Sequence, residues 1–345
     1  MFNKHEFSHP FLDLTAQRVV IFDGAVGTNL QDRNLSLDDY DGKEGCTEIL
    51  VRTRPDVIKE LHASFFEVGV DVVETNTFGG TSVVLGEYDL ADDAYDINLV
   101  ATQLAKEVAA DFSTSGHPRF VAGSIGPGTK LPSLGHISFG DLLASFRTQI
   151  SGLIDGGADL LIVETCQDLL QTKAAIIAIS DEFAAKKVRI PVIVQVTMEQ
   201  TGTMLLGSDM QTVITTLSPF PIDVLGMNCA TGPKAMGAHV RTLSTLWDRP
   251  ISIIPNAGLP QNIDGQMVYD LTANELAVDL HHFVSDLGVN IVGGCCGTTP
   301  EHLKAVVDKL SGVVPAGREP QSEASATSLY GSAAYDVTPK PLMIG

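Results

Sequence analysis

The chain has 345 residues, 44% hydrophobic and 19% charged, which is enough to bury a large core as one α/β barrel or two smaller domains. Its 42 Asp and Glu outnumber 22 Lys and Arg, giving a net charge of -20. That balance argues against nucleic acid and anionic membrane surfaces as partners, since both select basic patches. No apolar stretch approaches the roughly 20 residues needed to span a bilayer, and the N-terminal residues lack the apolar core of a signal peptide. Five cysteines form a sparse, odd-numbered set that fits a reducing, cytoplasmic setting better than a disulfide framework.

Apolar runs rich in β-branched residues alternate with longer amphipathic segments. In chain order, strands are expected over 18–24, 71–77, 119–126, 159–165, 191–197, 223–229, 250–258 and 290–296. Helices are expected between them over 55–68, 91–112, 139–154, 169–185, 209–217, 233–246 and 273–287, with a last one over 300–310. The strand runs are continuously apolar rather than alternating, as in parallel sheets covered on both faces. Pro55, Pro233 and Pro300 stand where proline is favoured, at a helix start. Eight βα units with short connections describe a (β/α)8 TIM barrel over residues 1–310. An open doubly wound sheet fits less well, because Asp23-Gly24-Ala25-Val26-Gly27-Thr28 lacks G-x-G-x-x-G spacing. Residues 311–345 are rich in Pro, Ser, Ala and Gly, without an apolar period until Pro341-Leu342-Met343-Ile344, a run that could start a strand. They read as a linker or tail rather than a second core.

In such a barrel, catalytic groups stand at the C-terminal ends of the strands. Those ends carry Asp23, Glu74 with Asn76, Ser124, Glu164 with Thr165, Asn228 with Cys229, Asn256, and Cys295 with Cys296. Taken singly, Asp23 or Glu164 also suits a helix N-cap; the whole set on one rim suits an active site. Cys229 ends the sixth strand, and Cys295 and Cys296 end the eighth amid Gly293, Gly294 and Gly297. Three thiols on one rim suit a zinc site with its fourth position open for a substrate. By spacing alone two buried small side chains explain the pair equally well, and a vicinal disulfide is a third reading. The glycines would let two consecutive side chains face one ion. Asn256, on the strand between, offers either a weak fourth ligand or a structural hydrogen bond. His62, His281, His282 and His302 fall on helices, and Cys46 and Cys166 are expected outside the metal shell.

Several of these segments carry a resemblance. Asp23-Gly24-Ala25-Val26-Gly27-Thr28, Glu74-Thr75-Asn76-Thr77-Phe78, Gly123-Ser124-Ile125-Gly126-Pro127, Glu164-Thr165, Gly226-Met227-Asn228-Cys229, Pro255-Asn256-Ala257-Gly258 and Gly293-Gly294-Cys295-Cys296-Gly297-Thr298-Thr299-Pro300 resemble, in order, the motifs of the homocysteine S-methyltransferase family. The likeness is strongest to the homocysteine-binding module of cobalamin-dependent methionine synthases and covers about residues 15–310. It implies a (β/α)8 barrel, with zinc on Cys229, Cys295 and Cys296. It implies that Asp23 and Glu164 hold the amino-acid end of L-homocysteine, with Gly24, Asn76, Ser124, Thr165 and Asn256 lining the substrate site and backbone N–H groups near Gly24 or Ser124 meeting its carboxylate. The implied donor is methylcobalamin, held by a partner module, beside a folate-binding module. Ser328-Leu329-Tyr330-Gly331 and Pro341–Gly345 look like the linker that leads there. Two alternatives stay open: a stand-alone methyltransferase using S-methylmethionine or S-adenosylmethionine, and a zinc- or thiol-binding protein without turnover. One departure is Ala25, where many relatives carry glycine.

Overall fold

The computed structural model describes residues 7–263, 266–321 and 324–336. Eight parallel strands follow one another around a single sheet: β1 (Val20–Ile21), β2 (Val72–Glu74), β3 (Phe120–Ile125), β4 (Leu160–Cys166), β5 (Val192–Val196), β6 (Val224–Asn228), β7 (Ile251–Ile254) and β8 (Ile291–Val292). β1 pairs with β8, and a bridge from Phe22 to Val72 closes the ring, aided by Asp71 N–H to Ile21 O (2.7 Å) and Asp23 N–H to Val72 O (3.0 Å). The architecture is a (β/α)8 barrel. Seven strands lie inside their expected runs, and β4 passes the end of its own by one residue, Cys166. The runs are apolar throughout because one face of the sheet packs on the helices and the other fills the barrel, where Val20, Phe22, Val72, Ala122, Ile162, Ile193, Val224, Ile254 and Ile291 are all buried.

The eight barrel helices are α1 (Pro55–Glu67), α2 (Ala94–Phe112), α3 (Phe139–Asp155), α4 (Leu169–Lys186), α5 (Met210–Leu217), α6 (Pro233–Leu246), α7 (Ala273–Leu287) and α8 (Pro300–Leu310). Their starts follow local chemistry. Pro55, Pro233 and Pro300 each open a helix, and Ser138, Asp168, Asp209 and Thr272 cap α3, α4, α5 and α7 through side-chain oxygens. The helix expected from Ala91 begins at Ala94, behind a 3-10 turn over Ala91–Asp93.

Several elements lie outside the expected pattern, among them short helices over Val26–Gln31, Leu50–Thr53 and Ser82–Leu85, and two are larger additions to the barrel. The first is a helix, Pro10–Gln17, started by Pro10 and capped by His9 Nδ1. It lies across the strand starts, where Asn290 Nδ2 donates to Thr15 O (3.3 Å). Its Phe11 is fully buried, edge-on to Phe22 and Phe120 with centroids 6.3 and 5.7 Å away, and plugs the floor of the barrel. Phe11→Ala should therefore cost about 3–5 kcal/mol, read as a lower urea midpoint with unchanged slope; a loss below about 1 kcal/mol would mean that the helix is not part of the core. The second is an antiparallel hairpin, Gln261–Ile263 with Gln266–Val268, inserted between β7 and α7.

The tail lies against the barrel. Ala316 N–H donates to Val284 O on α7 (3.0 Å), Arg318 donates to Trp247 O (2.7 Å) and Arg249 O (2.6 Å), and Gln321 N–H donates to Thr245 O on α6 (2.8 Å). A short ribbon, Ser325–Thr327 with Ser332–Ala334, then meets α5, where Ser325 and Thr215 hydroxyls are 3.0 Å apart. The strand start considered at Pro341 falls outside the described residues. Among the described residues, no helix is long and apolar enough to cross a membrane.

Candidate active site

The polar groups singled out on the strand ends converge at the C-terminal mouth of the barrel. The irregularity of β4 sets the first of them. Its register with β5 shifts between Val163 and Cys166, and Thr165 takes a left-handed backbone (φ 55°). Bulges of this kind re-aim side chains beside active sites. Here the displaced residue is Glu164, 6% exposed, whose Oε1 accepts from Ser124 Oγ (2.5 Å) and whose Oε2 accepts from Asn228 Nδ2 (3.2 Å). Asn228 also accepts from Thr165 N–H (2.8 Å) and donates to Thr165 Oγ1 (2.8 Å), so one amide fixes the whole turn.

Glu164 is one of three carboxyls at this mouth. Asp23 stands two residues after β1 and is 2% exposed, with Oδ2 accepting from Glu74 N–H (3.0 Å). The Glu74 side chain is hydrogen-bonded to Glu164. Burial raises all three above the ordinary carboxyl range. The charge of Glu164 lifts Asp23 further, against the pull of the Glu74 N–H. Glu164 and Asp23 lift Glu74. Glu164 reaches about 7, raised by burial and the charge of Cys296 and restrained by the Ser124 hydroxyl. A cationic ligand group would relieve this crowding.

The three thiols form the other half. Cys229 follows β6 with φ 61° and Ala230 with φ 56°, two consecutive left-handed residues held by Thr231 N–H to Cys229 O (2.7 Å) and Cys229 N–H to Ile254 O (3.2 Å). Such strain, on the order of 1–3 kcal/mol per residue, persists where the surroundings impose it and clusters at functional sites. Cys295 N–H donates to Pro255 O (2.8 Å), Cys296 N–H to Asn256 Oδ1 (3.1 Å), and Ala257 N–H to Cys296 O (2.9 Å). Cys229, Cys295 and Cys296 lie within 4.8 Å of one another, half-buried, with Cys229 and Cys296 sulfurs 3.9 Å apart. Among the described residues they are the group of His, Cys, Asp or Glu side chains close enough to share an ion, and Cys46 and Cys166 lie outside it. Cys229 and Cys295 beside it pull Cys296 down to about 3, while Cys229, Cys296 and burial push Cys295 up.

Asn228 links the halves, with Nδ2 on Glu164 and 4.0 Å from Cys295 Sγ. A small molecule with a thiol at one end and an ammonium at the other matches this sulfur-to-carboxyl polarity.

Some expected roles shift. The Asn76 amide donates to Thr47 O (2.7 Å) and anchors the loop after β2, while Glu74 beside it joins the carboxyl cluster. Asn256 Oδ1 accepts from the Cys296 N–H (3.1 Å), which keeps it beside the thiols. Ser124 N–H donates to Thr75 Oγ1 (3.0 Å) and is not free for a ligand carboxylate. Gly24 lies under Thr298, whose Oγ1 would be 2.7 Å from an added Cβ. Of the glycines around the paired cysteines, only Gly297 uses a positive φ (78°); Gly294 is small because a Cβ would stand 2.3 Å from Thr298 Oγ1. Sequence reasoning placed Tyr269 in no role, yet its ring packs on Gly297, the residue after Cys296.

Fold and site together define a (β/α)8 barrel of the thiol-cluster type, with its site in the C-terminal loops. The family profile described as homocysteine S-methyltransferase matches residues 20–310. The chain is 46% identical over 348 aligned residues to a methionine synthase of Mycobacterium leprae, with 99% of the chain covered. It is 44% identical over 343 residues to a methionine synthase of Mycobacterium tuberculosis, again with 99% covered. It spans 29% of the length of each. The metallated form of the homocysteine methyltransferase MmuM from Escherichia coli superposes with a TM-score of 0.70 at 22% identity, covering 89% of this chain and 100% of that one, a likeness of fold. The chain belongs to the homocysteine S-methyltransferase family.

Proposed function

We propose that this chain binds L-homocysteine and presents its sulfur to a methyl donor, yielding methionine, as a zinc-dependent homocysteine S-methyltransferase of the methionine synthase type. The observation that carries the reading is the pairing, in one barrel mouth, of three clustered sulfurs with three buried carboxyls. A tetrahedral zinc with bonds of ~2.3 Å needs sulfurs about 3.8 Å apart, and Cys229 and Cys296 stand at 3.9 Å. The donor set fits as well: three soft thiolates with a fourth position open. When bound there, zinc would hold the substrate sulfur as a thiolate at neutral pH. The chain's own residues do the rest. Asp23 and Glu164 bind the ammonium, Ser124 and Asn228 hold Glu164 in place, and Glu74 keeps a proton between itself and Glu164.

Methylcobalamin carried on another module is the proposed donor, with cobalamin-binding and folate-binding modules as partners in the same or a separate chain. The reading is supported by the likeness to much longer methionine synthases, and a cytoplasmic setting accords with the free thiols. The test supplies zinc-loaded protein and homocysteine with free methylcobalamin, S-methylmethionine or S-adenosylmethionine, and measures methionine. Methionine from methylcobalamin is expected. Turnover with a sulfonium donor alone would reassign the donor, and none with any of the three would leave a thiol-binding protein.

A further inference from the structure

Asn228 links the thiols to Glu164; a separate set of bonds joins them to Asp23. Gly294 N–H donates to Asp23 O (3.0 Å), tying the residue before Cys295 to the loop after β1. Thr298 is fully buried between the same two loops. Its hydroxyl donates to Cys295 O (2.6 Å) and accepts from Ala25 N–H (3.3 Å), so one oxygen spans both. The side chain fits because each loop carries glycine where it faces Thr298. A Cβ on Gly294 would stand 2.3 Å from Thr298 Oγ1, and one on Gly24 would stand 2.7 Å from the same atom. Glycine permits that close approach. Asn29, on the short helix Val26–Gln31, makes a second bridge: its Nδ2 donates to Ala25 O (2.6 Å) and to Thr298 O (2.8 Å). Its neighbour Thr28 accepts from Gly297 N–H (3.3 Å).

A ligand held by its sulfur at one end and its ammonium at the other must match the span between its two anchors. Homocysteine and cysteine carry the same end groups and differ by one methylene. In a well-shaped site one methylene is worth about 10- to 200-fold, and that discrimination lasts only while supporting contacts hold both anchors in place. We propose that Thr298 and Asn29 are positioning residues that set the span between the thiols and Asp23, so that the site selects homocysteine over the shorter cysteine. Neither residue touches the substrate in this arrangement; each acts through the loops it joins. The inference rests on the proposed binding of homocysteine by its sulfur and its ammonium.

The test is calorimetry on zinc-loaded protein, comparing L-homocysteine with L-cysteine in the parent, Thr298→Val, Thr298→Ser and Asn29→Ala. Valine keeps the shape of Thr298 and removes the hydroxyl; serine keeps the hydroxyl. The parent should favour homocysteine by at least about tenfold. Thr298→Val and Asn29→Ala should each narrow that preference several-fold at unchanged zinc content, and Thr298→Ser should keep most of it. Asn29→Ala carries the test from the opposite loop if Thr298→Val does not fold. A purely structural role would lower Tm and leave the preference where it is, and that result would overturn the proposal. Loss of zinc from Thr298→Val would overturn it too, since the hydroxyl would then serve the metal loop itself. So would a parent that binds both amino acids equally. A parent that holds zinc and binds neither would overturn the proposed function instead.

Discussion

Cys296→Ala protein is expected to hold less than about a tenth of the parent's zinc and to form methionine about 1000-fold more slowly, or worse. Two sulfurs and a water make a poor substitute for three thiolates on a soft, tetrahedral ion. Without the ion the substrate thiol stays largely protonated at neutral pH, because free thiols titrate near 8.5. Lewis-acid activation is worth several kcal/mol, and each 1.36 kcal/mol is a factor of ten in rate. Cys229→Ala and Cys295→Ala should behave alike, since the cluster acts as a unit and its losses do not add. Cys46→Ala is the control: the residue is buried beside Glu48, outside the cluster, and its zinc content should match the parent's. Metal analysis of the purified, reduced proteins decides the matter. Full zinc in Cys296→Ala would remove this residue from the site.

Homocysteine binding to Glu164→Gln should weaken by roughly 1.5–3 kcal/mol, the range for a hydrogen bond to a charged group, or about 10- to 150-fold. Its zinc content should not change. The pH dependence carries a sign of its own. Burial raises Glu164 to about 7, so its carboxylate is scarce below that pH and the affinity of the parent for an ammonium should fall as pH drops from 7.5 to 5.5. The glutamine variant should lack this component. At pH 7 the parent should release about 1.5 protons on binding, one from the thiol and about half from Glu164, against about one in the variant. Calorimetry in buffers of differing ionisation enthalpy reads the count. Because the folded state favours the neutral carboxyl, the stability that Glu164 contributes is present below about pH 4.5 and is lost as pH rises through about 7. The difference in Tm between parent and variant should follow that course without ligand and shrink when homocysteine is bound. Glu74→Gln should be mild, within about threefold, because burial and the charges of Glu164 and Asp23 already favour the neutral form of Glu74. A pH-independent parent affinity, or zinc loss in Glu164→Gln, would refute this division of roles.

The barrel was legible because its strands are buried on both faces, which turns each into an unbroken apolar word, and because proline and capping residues mark helix starts such as Pro233 and Thr272. What escaped were elements whose reasons lie elsewhere in the chain. The Pro10–Gln17 helix is short, and its role depends on Phe22 and Phe120. The hairpin of Gln261–Ile263 with Gln266–Val268 has strands of only three residues, too short for an alternation to announce them. In the site, the paired cysteines among glycines stand out in any reading. Asn76 and Glu74 are two residues apart and equally polar, and nothing local shows that Thr47 engages the first while Asp23 and Glu164 surround the second. The bulge at Glu164 likewise follows from Asn228, 64 positions away, and not from its neighbours.

The plugged floor imposes a timetable on the barrel. With Phe11 wedged among Phe22 and Phe120, one end of the barrel is filled by side chains, and a doorway lies at the other end, where the thiols and carboxyls stand. A donor as bulky as a cofactor on its carrier would shut that doorway while it is engaged. On the proposed function, homocysteine would then have to be inside before the donor arrives and methionine would depart only after the donor withdraws, so the reaction would run first in, last out.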